Sequence, residues 1–180
     1  EAPYGLPPRR KYDHTIPLIP GASPVSIGPY RLPPALKDVM ERQVKEMLDS
    51  GIIRHSTSAF SSPMIMVQKK DKTWRPAFDY RHLNAITVKS KYPIPIIDVL
   101  LDKLAGSCWF SKLDLRFSYH QIRLAPGEEH KTTFQTHFGH FEFLVVSFGL
   151  TGGPNTFHFA MNDTLAPCLR EFVSHSLMIS

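Results

Sequence analysis

The changing spacing of apolar residues limits the fold of this chain more than any other feature. Leu36, Val39, Met40, Val44, Met47 and Leu48 recur at helical intervals and stop at Gly51, which places an amphipathic helix directly after Pro34. Its methionines read as packing residues. Residues 63–70 and 74–80 then read as two strands, the first rich in Ile65 and Val67, joined into a hairpin by the charged tip Lys70-Asp71-Lys72-Thr73. Residues 95–104, with Pro95 near the start and Gly106 beyond the end, read as a short helix. A strand ending at Asp114 comes next, and 134–136 with 140–146 form a second hairpin around Phe138-Gly139. From Pro154 onward, Phe157, Met161 and Leu165 at four-residue spacing give a last helix that Pro167 ends. The order helix, hairpin, helix, strand, hairpin, helix argues for an α+β fold with helices packed on an antiparallel sheet.

With 180 residues the chain can bury one core, or one domain and part of a second. Its sixteen prolines fall between apolar segments, without repeats, and so act as loop and strand-edge punctuation. They are densest in residues 1–33, expected to be an extended arm lying along the domain as an edge segment and not as a core element. The longest apolar run, 141–150, is interrupted by Glu142 and Ser147 and is too short to cross a bilayer. Nothing resembles a signal peptide. Cys108 and Cys168 lack metal-ligand spacing, which favours a reduced, intracellular chain, cytoplasmic or nuclear.

Charge is unevenly placed. Lys69, Lys70, Lys72, Arg75, Arg81, Lys89 and Lys91 face only Asp71 and Asp79 in 67–91, a local excess equal to the net +5 of the whole chain. Trp74, Phe78 and Tyr80 are interleaved with these cations. Cations engage phosphates and aromatic faces stack on bases, so the patch suits a phosphate-rich partner. An ordinary solvated hairpin tip is the plain alternative. Asp114, delivered by a strand to a turn, could ligate a hard divalent cation, although most such residues only start turns.

Several short motifs, taken in order, carry a resemblance. They are Pro29-Tyr30-Arg31, Gly51-Ile52-Ile53, Ser61-Ser62-Pro63, Trp74-Arg75-Pro76, Asp79-Tyr80-Arg81-His82-Leu83-Asn84, Tyr92-Pro93-Ile94-Pro95, Asp114-Leu115-Arg116, Tyr119-His120-Gln121-Ile122 and Phe148-Gly149-Leu150. Each is weak alone, but the ordered series resembles the fingers and first half of the palm of a reverse transcriptase, most closely that of gypsy-type LTR retrotransposons and their Pol polyproteins. The resemblance implies a partial right-hand polymerase fold, with an arm over 1–33, fingers over 34–93 and a partial palm over 94–180.

It also implies chemistry. Attack of a primer hydroxyl on a nucleotide α-phosphate uses two divalent cations about 4 Å apart. Asp114 resembles the first of three family aspartates holding Mg2+, with the Leu115 carbonyl as a further ligand. Lys69 and Arg75 match the residues that grip the triphosphate, where a planar guanidinium suits phosphate oxygens. Tyr119 matches the residue beneath the sugar, which disfavours a 2′-hydroxyl, and Phe148 and Gly149 would line the same pocket. Lys70, Trp74, Gly152 and Pro154 fall where template and primer run. The implied partners are an RNA or DNA template with primer, deoxynucleoside triphosphates, and the remaining palm, thumb, connection and ribonuclease H regions of a parent polyprotein.

Departures bear on that reading. Phe117-Ser118 replaces the usual small pair after Arg116, and Gly152-Gly153 replaces the usual Asn-Ala, which is expected to loosen the start of the last helix. His158 stands where Gln is common. No carboxylate follows Glu171 in this chain, where the family carries an aromatic-x-Asp-Asp hairpin. Met178 is ATG and every Ile codon begins AT, so the overlapping frame spells the Asp codon GAT, consistent with a frameshift near Val173. On this reading the chain is inactive by itself. A non-catalytic nucleic-acid-binding remnant is the alternative. A zinc site from His130, His137, His140 and His158 is a third reading, against which stands their lack of paired spacing.

Overall fold

A computed structural model describes residues 5–89 and 118–165. The expected helix of 95–104, the strand ending at Asp114 and the stop at Pro167 lie outside these residues.

Helix α1, Pro34–Asp49, begins with a proline whose missing N–H would have had no partner in the first turn. Met40 and Val44 are its buried residues, as the apolar stripe predicts. Its end is a Schellman motif: Gly51, at φ 73°, donates to the Leu48 carbonyl, and Ile52 donates to the Met47 carbonyl at 3.2 Å. Only glycine enters that backbone region without strain. Met47 and Ile52, the apolar pair that accompanies the motif, both pack on the core.

The reversal feeds β1 (Ile53–His55), followed by β2 (Ser62–Gln68), β3 (Trp74–Phe78), α2 (Arg81–Ala85), β4 (Phe134–Gln135), β5 (His140–Phe143) and α3 (Gly153–Leu165). Short 3-10 turns occupy Ser118–Gln121 and Glu129–Thr132. The five strands form one sheet in the order β1-β5-β4-β2-β3. Three of its four pairings are antiparallel, as expected; the exception is β2 with β4, parallel through Ser62 opposite Phe134 and Pro63 opposite Gln135. Strands on both sides of residue 93 therefore share a sheet.

Alternation sends Phe134, Phe141 and Phe143 into the core, where Phe134 and Phe143 meet Phe78 of β3 and Phe141 packs on Phe134. The Phe78 ring lies 4.7 Å from that of Phe134 and 4.9 Å from that of Phe143. Burying each such ring is worth about 2–3 kcal/mol relative to exposure. The one carboxylate in β5, Glu142, is buried and satisfied: Arg54 donates to Oε1 at 2.7 Å and Ser56 to Oε2 at 2.6 Å.

The arm is extended, but it is more than an edge segment. Ile16 is 2% exposed and His14 3%, and Tyr12 also joins the core. The arm pairs locally at His14 with Leu124, Leu18 with Thr87 and Ser26 with Ser61. Backbone pairing accompanies this burial: the segment finds partners for its N–H and C=O groups on three separate stretches of chain, and apolar side chains between them turn inward. No helix of the described residues is long and apolar enough to cross a membrane.

Candidate functional site

The basic hairpin is built for display. Gln68 pairs with Trp74 and Val67 with Arg75, and Lys69 continues the ladder by donating to the Thr73 carbonyl at 2.8 Å. The loop closes with a turn from Lys69 to Lys72 and a left-handed residue, Lys72 at φ 64°. Asp71 locks it by accepting from the Thr73 N–H at 3.0 Å and hydroxyl at 2.5 Å, bonds that also lower its carboxyl below the ordinary range.

Strand alternation sorts the side chains of this hairpin. Met64 and Phe78 face the core, so Met66, Gln68, Trp74 and Pro76 share their side, while Val67, Lys69 and Arg75 share the other. The two expected triphosphate-gripping cations are thus brought to one face, with Lys70 in the adjoining turn. Lys69, Lys70 and Arg75 are exposed. Among the described ion pairs none engages Lys69, Lys70, Lys72 or Arg75. Trp74 is half-buried, and its carbonyl accepts from Gln43 Nε2 at 2.9 Å, which ties the hairpin to α1.

The second group of expected residues surrounds the turn before α3. Gly149 has φ 94°, and a Cβ there would lie 3.1 Å from the Phe78 carbonyl oxygen, so both backbone angle and space require glycine. The turn leaves Phe148 56% exposed. Beneath it, the Tyr119 ring meets Phe148 edge-on at 4.8 Å and Phe157 at 5.6 Å. Tyr119 is buried, which pushes its phenol up from the ordinary value. Tyr119 and Phe148 are therefore in contact, with Gly153 close under Tyr119.

The turn and start of α3 are tightly packed, contrary to the expected loosening at Gly152-Gly153. A Cβ on Gly152 would come within 2.8 Å of the His14 ring, and one on Gly153 within 3.3 Å of Val146. These glycines make room for close neighbours; they are not there for freedom. Pro154 enters the first turn of α3, where a missing N–H is harmless.

Three features were not assigned from sequence. Asn84 donates to the Gly149 carbonyl and accepts the Thr151 amide. Asp79, 8% exposed, takes Arg81 Nε at 2.8 Å and Nη2 at 2.7 Å, and the Tyr30 hydroxyl at 3.1 Å. These bonds hold its carboxyl well below the usual range. His14 is the third. Both Asp79 and Asn84 lie in the quoted motif 79–84, but nothing in their spacing reveals partners at Tyr30 and Gly149. Pro29, Tyr30, Arg31, Lys37 and His137 also line a groove of about 730 Å³ against Met40 and Met64.

Asp114 and Leu115, the expected metal ligands, lie outside the described residues, and among those described no three His, Cys, Asp or Glu side chains could hold a metal ion. His137 pairs with Glu41 at 2.8 Å, His130 lies edge-on to Phe60, and His158 is buried in α3. The four histidines of the zinc reading thus make no such group.

The chain is 40% identical over 154 residues to a retrovirus-related Pol polyprotein from transposon 297 of Drosophila melanogaster, a match covering 83% of this chain and 14% of that polyprotein. It is also 40% identical over 144 residues to the transposon Tf2-3 polyprotein of Schizosaccharomyces pombe, covering 80% of this chain and 11% of that one. The chain thus spans about a seventh or less of the length of these relatives. Its fold is similar to the prototype foamy virus protease-reverse transcriptase, with TM-score 0.74, 19% identity, and coverage of 85% of this chain and 21% of that one. A foamy viral protease-reverse transcriptase in complex with RNA/DNA hybrid matches at TM-score 0.73 and 17% identity over 92% of this chain and 23% of that one. The family model for reverse transcriptase (RNA-dependent DNA polymerase) matches residues 67–179, and the chain belongs to that family.

Proposed function

We propose that this chain forms fingers and part of the palm in RNA-directed DNA synthesis, on an RNA or DNA template with primer and deoxynucleoside triphosphates. The observation that carries this reading is the shared face of Lys69 and Arg75, exposed and outside every described ion pair, in a chain of this family. A guanidinium and an ammonium on one side of the ladder, in no described ion pair, suit the oxygens of a triphosphate. The foamy viral relative bound to an RNA/DNA hybrid supports the choice of partner.

In this reading Lys70, Trp74, Gly152 and Pro154 run along template and primer, while Tyr119, Phe148 and Gly149 line the sugar pocket. The edge-on contact of Phe148 with Tyr119 makes the two rings a single wall. Asp114 and the Leu115 carbonyl would hold Mg2+, since carboxylate and carbonyl oxygens are the ligands that ion prefers. When bound, the ion stabilises charge on phosphoryl oxygens. The arm, fingers and palm divisions at residues 33 and 93 are divisions along the chain, drawn through a shared sheet.

Salt-dependent binding tests the reading. The chain is expected to bind a primed RNA/DNA hybrid with affinity that falls steeply with salt, and replacing Lys69 and Arg75 by Ala should lower the log–log slope by about 2. A slope near zero for the parent chain would refute it.

A further inference from the structure

His14 belongs to the arm, yet its ring ends at the turn that leads into α3. The backbone holds it from both sides: its N–H donates to the Arg123 carbonyl and its carbonyl accepts the Ala125 N–H, each at 2.8 Å. The side chain is buried, and Nδ1 shares a hydrogen bond of 2.8 Å with the Thr156 hydroxyl in the first turn of α3. Thr156 in turn donates its N–H to the Gly152 carbonyl. A Cβ at Gly152 would lie 2.8 Å from His14 Cε1, closer than real contacts come. The ring cannot swing away without losing the Thr156 bond or breaking the pairing at 123–125. The same pairing is continuous with Tyr119, because Ile122 donates to the Tyr119 carbonyl and accepts from Val146. One residue therefore touches the turn and is tied to the segment that carries Tyr119.

We propose that His14 is a positioning residue, its ring setting where Gly152 and the start of α3 lie relative to Tyr119 and Phe148. Gly152 is the complementary half of this device, kept free of a side chain by the ring. The arm is thereby a working part of the pocket wall. The consequence for hybrid binding rests on the functional reading above; the packing relationship does not.

A coupling cycle tests it, with Gly152→Ala, His14→Ala and the double variant, read by amide exchange and by affinity for an RNA/DNA hybrid. In the parent background Gly152→Ala should speed exchange at Thr151, Gly153 and Thr156 by about tenfold and weaken hybrid binding about fivefold. In the His14→Ala background the same change should cost less than about twofold in either measurement. His14→Asn, which keeps a polar atom near Thr156, should recover part of the protection lost in His14→Ala. Additive effects would overturn the inference. So would equal acceleration of exchange in β2 and β3, since His14 would then merely hold the fold together. If the parent chain fails to bind hybrid, the functional reading falls, and the exchange cycle still decides the role of His14.

Discussion

Asn84 holds the Gly149 carbonyl with Nδ2 at 2.7 Å while its Oδ1 takes the Thr151 N–H at 2.9 Å, so one side-chain amide closes on both sides of Leu150. The residue is itself fixed, its N–H donating to Tyr80 at 2.7 Å. A carboxylate cannot replace it. Asn84→Asp keeps the acceptor for Thr151 but sets a second acceptor against the Gly149 carbonyl. The variant should lose about 1–2 kcal/mol in urea unfolding, with hybrid binding reduced alongside. Unchanged stability would mean that the turn holds its shape without this clamp.

Asp79 gives an acid-sensitive contribution. Its folded value lies below the unfolded one, about 3.9, chiefly because Arg81 donates to it. The stabilisation is therefore whole above about pH 4 and is lost as pH falls through the folded value. Because the Arg81 side chain is 80% exposed, solvent screens most of the ion pair. The buried carboxylate still needs its donors. Asp79→Asn should cost about 1 kcal/mol at pH 7, and urea midpoints at pH 7 and pH 3 should differ less for the variant than for the parent. Equal pH dependence in the two chains would place the acid sensitivity elsewhere.

These two clusters show where sequence reasoning runs out. Helix α1 and the β2–β3 hairpin are legible because each carries several apolar residues at one period, closed by Gly51 and by the charged tip. Strand β1 has three residues and β4 two, too few to show any period, and the parallel pairing of β2 with β4 joins positions more than seventy residues apart. The site divides in the same way. Lys69 and Arg75 share a face because of local alternation, which their spacing already encodes. His14 against Gly152 and Asn84 against Gly149 are contacts between distant segments, and no local pattern announces them. The glycines at 149 and 152, the second a departure from the family pattern, are the available signal, since a glycine in a packed turn often marks something pressed against it.

Lys72 sits at φ 64°, where a Cβ is disfavoured by roughly 1–2 kcal/mol. Gly adopts that region freely, although its looser unfolded chain returns part of the gain. Lys72→Gly should therefore raise stability by about 0.5 kcal/mol, visible as a higher urea midpoint at unchanged slope. The cost would fall on binding, where one cation fewer near the phosphates lowers the salt slope by up to about 1. A destabilised variant would mean that the Lys72 side chain makes contacts outweighing its backbone strain.

Burial lowers the His14 imidazole from 6.5 to about 4, with Glu128 pulling weakly the other way. The folded chain thus resists a proton that the unfolded chain accepts. Stability from this group is complete above about pH 6.5 and drains away as pH falls toward 4, by an amount of order 3 kcal/mol. His120 and His158 are also lowered by burial and add to the same slope. In His14→Asn the decline in unfolding free energy between pH 6.5 and 4 should therefore become shallower without vanishing, measured as urea midpoints across that range. Since the His14 ring meets Gly152 and Thr156, protonation should loosen the turn before the sheet. Exchange at the Thr156 amide should rise with acidification, relative to intrinsic rates, earlier than at β2. Loss of both together would mean that the acid transition acts on the whole fold and not through this contact.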